Sequence, residues 1–438
     1  MYWGSYAGIG YGNERAKMHN NKSRTIIFLF SSLLFLIIWV SDSVKGAGDP
    51  GERGPCAVGS QEIEIAGVAA TVFYPSTAVC SDFAQEPFAA IAFAHGFSMF
   101  GLSNGVSENE ANGEHLASWG YVVAIPELPD DAEERVGLLL NVLDFLEAAN
   151  TDPSSFLYEK VDINRLTTAG HSLGGATALA TAARDNRITA VVALDPVYHA
   201  GDFSGEGEII WDAVKEAPRI TVPTGILGAP PSSCNAEADY AEIYPLVGST
   251  HKAAYLINSA SHCVFADPGS SFCSLFCGGD TKPEMTTASK KYMTAWFNYY
   301  VQLKPEYFNY IYGDQAQVDM DAGLINLTED TITNNLTASK FLNAVELQWD
   351  RYNQPILAGY KIYRRLAEEQ SFGSPLASVD LTESFIDFAV TSGQEYSYAV
   401  RSFDTAGNFH QLSKEVKIQV EPETVEAKKN YLPLTLGP

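Results

Sequence analysis

The chain has 438 residues, 46% hydrophobic and 18% charged, an ordinary globular composition long enough for two or three domains. Its 53 acidic residues against 28 basic ones leave a net charge of −25, which repels phosphate backbones and argues against a nucleic-acid partner.

In chain order, Lys22 and Arg24 precede an apolar run over residues 26–40, shorter than the roughly 20 residues that cross a bilayer as a helix. Val44 and Gly46 then suit cleavage after Gly46, so residues 1–47 read as a signal peptide with an upstream extension. An uncleaved membrane anchor is the rival reading. The signal predicts a secreted protein, extracellular or at the cell surface, with no stable membrane insertion after cleavage.

All six cysteines follow that segment, as an oxidising compartment would allow. Residues 63–65 and 71–74 read as a hairpin around Gly67, whose closure would bring Cys56 and Cys80 together. Cys234, Cys263, Cys273 and Cys277 lie towards the presumed working edge of the fold. Cys273 and Cys277, without a nearby histidine pair, make poor zinc spacing, so no metal is expected.

Residues 48–312 alternate short apolar runs with helical stretches. Residues 89–94, 122–125, 166–169, 190–194 and 224–227 read as buried strands. Residues 112–119, 133–149, 175–184 and 286–303 read as helices; in the second, Val136, Leu139, Leu140, Leu143 and Leu146 recur at helical spacing. This alternation predicts an α/β fold with a doubly wound, mostly parallel sheet covered on both faces. Residues 313–334 are polar and read as a linker. Residues 335–421 change to alternating short strands between Gly, Pro, Asn and Ser clusters, a small all-β sandwich pattern. Residues 422–438 form a tail.

The strongest chemical signal is Gly170-His171-Ser172-Leu173-Gly174-Gly175, which follows an apolar strand and opens an alanine-rich helix. A serine on such a tight turn is lifted clear of the sheet, and any side chain at Gly170 or Gly174 would collide with strand or helix. Ser172 is therefore the candidate nucleophile, and His171 is expected to be structural. A serine hydroxyl needs a base. Four histidines follow: His199, His251, His262 and His410. His262 comes just after the apolar run 253–257, at a strand's end, and is the candidate base. Asp195, following strand 190–194, is the candidate acid, with Asp239 and Glu237 as later alternatives. The oxyanion hole is expected from the amides of Leu173 and Phe97, the latter in the loop His95-Gly96-Phe97. His95 itself is read as bracing that loop. The pattern implies hydrolysis of carboxylic esters through an acyl-enzyme, without metal or organic cofactor. The partner is a small-molecule or polymeric ester. A non-catalytic binding protein on the same scaffold, and a peptidase or thioesterase, are the rivals.

These residues together resemble the chlorophyllase and cutinase-like branch of the α/β-hydrolases, which includes polyester hydrolases. The resemblance is carried by His95-Gly96-Phe97, Trp119-Gly120-Tyr121-Val122-Val123, the helix over 134–146, Gly170 to Gly175, Leu194-Asp195-Pro196 and Ser261-His262. The Leu-Asp-Pro acid is similar to chlorophyllase; cutinase-type enzymes place the acid one strand later, where this chain has Ala229-Pro230-Pro231. Residues 335–421 resemble a fibronectin type III domain through Trp349, Tyr360 and the Tyr396–Tyr398 strand ahead of Asp404. That likeness implies a spacer or a surface-attachment module, with Trp349 and Tyr396 in its core.

Overall fold

The computed structural model describes residues 48–81, 83–97, 105–199, 211–266, 277–278, 280–331, 335–341, 343–351 and 356–421. The expected signal segment, the tail and Cys273 lie outside the described residues. No helix among the described residues is long and apolar enough to cross a membrane.

The strands are β1 (Val58–Ile65), β2 (Val68–Pro75), β3 (Val79–Cys80), β4 (Ala84–Gln85), β5 (Phe88–Ala94), β6 (Tyr121–Pro126), β7 (Val161–His171), β8 (Ile188–Leu194), β9 (Thr224–Gly228), β10 (His251–Ile257) and β11 (Ile325–Thr331). Nine of them form one sheet in the order β1-β2-β6-β5-β7-β8-β9-β10-β11. β6, β5, β7, β8, β9 and β10 run parallel to one another, whereas β1, β2 and β11 pair antiparallel at the two edges. Every residue of β5 is buried. Ala90, Ala92 and Ala94 pack into one apolar cluster and Ala89, Ile91 and Phe93 into the other, because alternate side chains leave opposite faces of a covered sheet. Helices α1 (Glu110–Ser118), α2 (Ala132–Thr151) and α3 (Leu173–Arg184) and the helix Pro283–Tyr300 supply the cover. Asp131 caps α2 by accepting from the Glu134 amide at 2.9 Å, which satisfies one of the donors orphaned at a helix start. The β1–β2 hairpin closes as expected, and Cys56 is disulfide-bonded to Cys80.

The reading of 313–334 as a linker is corrected. Residues Asp314–Asp321 form a helix, and β11 is the ninth strand of the sheet, paired with β10 from His251↔Thr331 to Ile257↔Ile325. The α/β domain therefore extends to residue 331 rather than 312. The segment looked like a loop because an edge strand is half-solvated, so Asn326, Thr328 and Asp330 break the apolar run. The helix before it is tied in by Asp319, whose carboxylate accepts from Lys291 Nζ at 2.9 Å and the Tyr292 hydroxyl at 2.7 Å. A chain ending at residue 312 would leave Lys291 buried without that carboxylate and uncover the β10 edge. It is expected to be less stable than a chain ending at 334 by roughly 3–5 kcal/mol, read from urea unfolding. Equal stabilities would show that the segment is dispensable.

Beyond β11 lie two further sheets. One contains β12 (Thr337–Phe341), β13 (Ala344–Gln348) and β16 (Ser384–Asp387). The other contains β14 (Leu357–Leu366), β15 (Ala377–Val379), β17 (Glu395–Asp404), β18 (Phe409–Leu412) and β19 (Val416–Gln419). Their shared core holds Val345, Leu347, Trp349, Tyr360, Ile362, Tyr396, Tyr398 and Val400. This β region meets the α/β domain directly. The Tyr299 hydroxyl pairs with His410 Nε2 at 3.0 Å, Asn408 Nδ2 donates to the Pro305 carbonyl at 3.0 Å, and the rings of His251 and His410 lie 5.3 Å apart.

Candidate active site

Ser172 stands between β7 and α3 with φ 60° and ψ −127°, a conformation L-residues avoid. Its amide donates to the Leu194 carbonyl at 2.9 Å, and its carbonyl accepts from Gly175 at 2.8 Å and Val197 at 3.0 Å. The neighbouring strand β8 thus clamps the strained residue. The flanking glycines are required by crowding. A Cβ on Gly170 would lie 2.2 Å from the Gly174 carbonyl oxygen, and one on Gly174 would lie 2.1 Å from that of Ala94. The Ser172 side chain remains partly exposed.

His262 opens a short turn (His262–Phe265) beyond β10, its entry shaped by Ser261 accepting from the Cys263 amide at 3.2 Å. His262 Nδ1 donates to Asp195 Oδ2 at 2.5 Å. Asp195 is fully buried at the end of β8, and its amide donates to the Leu227 carbonyl at 2.7 Å. Its other carboxylate oxygen, Oδ1, accepts from the Ala229 amide and Asn235 Nδ2, both at 3.1 Å. One oxygen is thus committed to the imidazole and the other to two N–H groups, so the carboxylate cannot rotate without breaking bonds.

Asp239 is bound elsewhere: Oδ2 accepts from the amides of Tyr198 at 2.7 Å and His199 at 3.1 Å, and Oδ1 pairs with His199 Nδ1 at 3.0 Å. Among the expected residues, the structure therefore joins Asp195, and not Asp239, to His262. Asn235 escaped the sequence reading. It holds Asp195 through Nδ2, and its Oδ1 accepts from the Asp239 amide at 3.1 Å. No motif marks it; its one signal is adjacency to Cys234, which is disulfide-bonded to Cys277 and so anchors this loop. Cys263, next to the imidazole, is also disulfide-bonded.

His171 sits under His262, with ring centroids 4.6 Å apart and its Nε2–H donating to the His262 carbonyl at 3.0 Å. Burial, with the neighbouring His262 adding to it, pushes the His171 ring well below the usual histidine range, so it works as a neutral prop. Leu173 begins α3, where an amide has no partner within the helix. Gly96 lies against Ser172, since a Cβ on it would be 3.1 Å from the Ser172 Cβ, and Phe97 beside it is 44% exposed. His95 donates from Nδ1 to the Gly96 carbonyl at 2.7 Å and accepts at Nε2 from the Leu128 amide at 2.8 Å.

Other buried rings link the fold to pH. His95 and His115 are each lowered to about 3, and His410 to about 4, in every case mainly by burial, with Arg135, Lys290 and Arg401 respectively adding. Once unfolded, these rings bind protons near pH 6.5. The unfolded state then holds more protons, so this stability is complete above about pH 6.5 and is lost as pH falls towards 4 and then 3. Unfolding free energy is expected to drop by up to about 1.4 kcal/mol per pH unit for each ring between pH 6 and pH 4, least for His410 at the acid end. A flat urea-derived profile over that window would contradict the burial of these rings.

Residues 49–321 match the family described as "PETase: PET hydrolase-like". Among curated proteins, the chain is similar to cutinase est1 of Thermobifida alba, 30% identical over 200 residues that make up 44% of this chain and 57% of that one. It is 26% identical to a bis(hydroxyethyl) terephthalate hydrolase of Streptomyces coelicolor over 219 residues, 48% of this chain and 61% of that one. It is 29% identical to a cutinase of Thermobifida fusca over 173 residues, 37% of this chain and 51% of that one. The chain thus spans little more than half the length of these relatives. Since the match to residues 49–321 covers more than half of the chain and takes in the turn at Ser172, the Asp195–His262 pair and β5 to β10, the chain belongs to the PET hydrolase-like family.

Proposed function

We propose that this protein is a secreted serine hydrolase that cleaves carboxylic esters through an acyl-enzyme. The observation that carries the reading is the 2.5 Å bond from His262 Nδ1 to a buried, doubly held Asp195, at the same sheet end as the strained Ser172. Ser172 Oγ attacks the ester carbonyl and passes its proton to His262 Nε2. Asp195 keeps the proton on Nδ1, so that Nε2 is the free base, and stabilises the imidazolium. The amides of Leu173 and Phe97 hold the developing oxyanion. His262 then protonates the leaving alcohol, and water repeats the sequence to release the acid. The disulfides support an extracellular setting.

An apolar or polymeric ester is the substrate class. A polyester is favoured by the family match and by the exposed aromatic side chain of Phe97, next in sequence to Gly96, which lies against Ser172. The β region over 337–419 fits a fibronectin type III-like module that spaces the enzyme or attaches it to a surface. The test is fluorophosphonate labelling followed by peptide mass spectrometry, with turnover measured on p-nitrophenyl esters, bis(hydroxyethyl) terephthalate, polyester film and a chlorophyll ester. Label on Ser172 with ester turnover is expected. Label elsewhere, or none, would leave a binding protein on a hydrolase scaffold.

A further inference from the structure

Arg135, on the first turns of α2, is fully buried, and the groups it bonds are backbone carbonyls and a hydroxyl rather than a carboxylate. Nη1 donates to the Pro129 carbonyl at 2.7 Å. Nη2 donates to the His95 carbonyl and reaches the Gly96 carbonyl at 3.4 Å. Nε donates to Thr177 Oγ1 at 3.2 Å, and that hydroxyl donates to the Leu173 carbonyl at 2.8 Å. The same Gly96 carbonyl is held more tightly by His95 Nδ1–H, at 2.7 Å. Across this loop, the first turn of α3 presses so close that a Cβ on Gly174 would lie 2.4 Å from the His95 carbonyl oxygen.

A trans peptide is planar, so its C=O and N–H point opposite ways. Holding the Gly96 carbonyl towards His95 and Arg135 turns the Phe97 N–H to the opposite side, away from them, while Gly96 itself lies against Ser172. Arg135 thereby reaches both sides of the expected oxyanion hole: the Phe97 amide through the Gly96 carbonyl of the same peptide, and the first turn of α3 through Thr177, which bonds the Leu173 carbonyl. We propose that Arg135, with His95 and Thr177, forms a brace that sets the direction and spacing of the two oxyanion-binding amides. These three are positioning residues for the ester hydrolysis proposed above, and the inference rests on that reading. A guanidinium suits the place because its fork reaches several acceptors in one plane. Burial lowers Arg135 only to about 10, so it remains a cation at neutral pH and polarises the peptides it holds.

The test measures kcat and KM on p-nitrophenyl butyrate and the inhibition constant of butylboronic acid, whose tetrahedral adduct with the serine mimics the transition state. Arg135→Lys keeps the charge but loses the fork. It is expected to lower kcat about 10- to 100-fold, to leave KM within about threefold, and to weaken boronate binding by a similar factor to kcat. His95→Gln and Thr177→Val are expected to lose about tenfold in the same pattern, and Thr177→Ser, which keeps the hydroxyl, should recover most of the Thr177→Val loss. Melting curves identify folded variants, and if Arg135→Lys does not fold, the Thr177 pair decides. Folded variants with unchanged kcat, or with raised KM and unchanged boronate affinity, would overturn the brace while the wild type still hydrolyses esters. A wild type that neither labels at Ser172 nor turns over would remove the acyl-transfer reading, and the brace with it.

Discussion

Ser172→Ala is expected to lower kcat on p-nitrophenyl esters by about 10⁵-fold or more, with the melting temperature little changed. Without Oγ no acyl-enzyme forms, and only binding and the oxyanion amides remain to help attack by water. Ser172→Gly sharpens the test. The wild-type residue holds φ 60° and ψ −127°, a region that costs an L-residue on the order of 1–3 kcal/mol. Glycine adopts it freely, so this variant is expected to be equally inactive yet about 1 kcal/mol more stable than Ser172→Ala. That combination would mean that the fold spends stability to hold a hydroxyl in place. Retained turnover in either variant would end the reading of Ser172 as the nucleophile. A glycine variant less stable than alanine would show that the turn is unstrained.

Asp195→Asn is expected to cost about 10⁴-fold in kcat while leaving the fold intact. The hydrogen bonds say why. Two donors, the Ala229 amide and Asn235 Nδ2, point at Oδ1, so an asparagine there keeps its carbonyl oxygen towards them. Its NH₂ then faces His262 Nδ1. The imidazole must become an acceptor at Nδ1 and carry its proton on Nε2, the wrong tautomer to receive a proton from serine. Asp239→Asn, by contrast, disturbs only His199 and the amides of Tyr198 and His199, so kcat should fall less than about tenfold. Comparable losses in the two variants would mean that the acid function is not confined to Asp195.

Much of the candidate site is legible in the residue pattern. Gly170 and Gly174 around Ser172 announce a sharp strand-to-helix turn because no side chain fits at 170 against the carbonyls of Gly174 and Ala94, or at 174 against those of Ala94 and His95. His262 and Asp195 each follow an apolar run, and parallel strands direct their C-terminal ends to one side of the sheet, so position along the chain already implies proximity. The supports were not legible. Asn235 reaches Asp195 from 40 residues away, and Arg135 reaches the His95 carbonyl across an equal separation; nothing in their neighbours signals either contact. β11 was hidden for a related reason, since an edge strand carries the polar alternation of a loop until a partner strand is present.

The sequence by itself determined the candidate reactive residues, because a strained turn, a base and a carboxylate at strand ends are local patterns governed by backbone sterics and apolar periodicity. Only the tertiary structure decided which carboxylate meets His262, where the α/β domain ends and what steadies the loop beneath Phe97. Those answers depend on which distant donors and acceptors share a buried space, and local residue patterns do not encode that geometry.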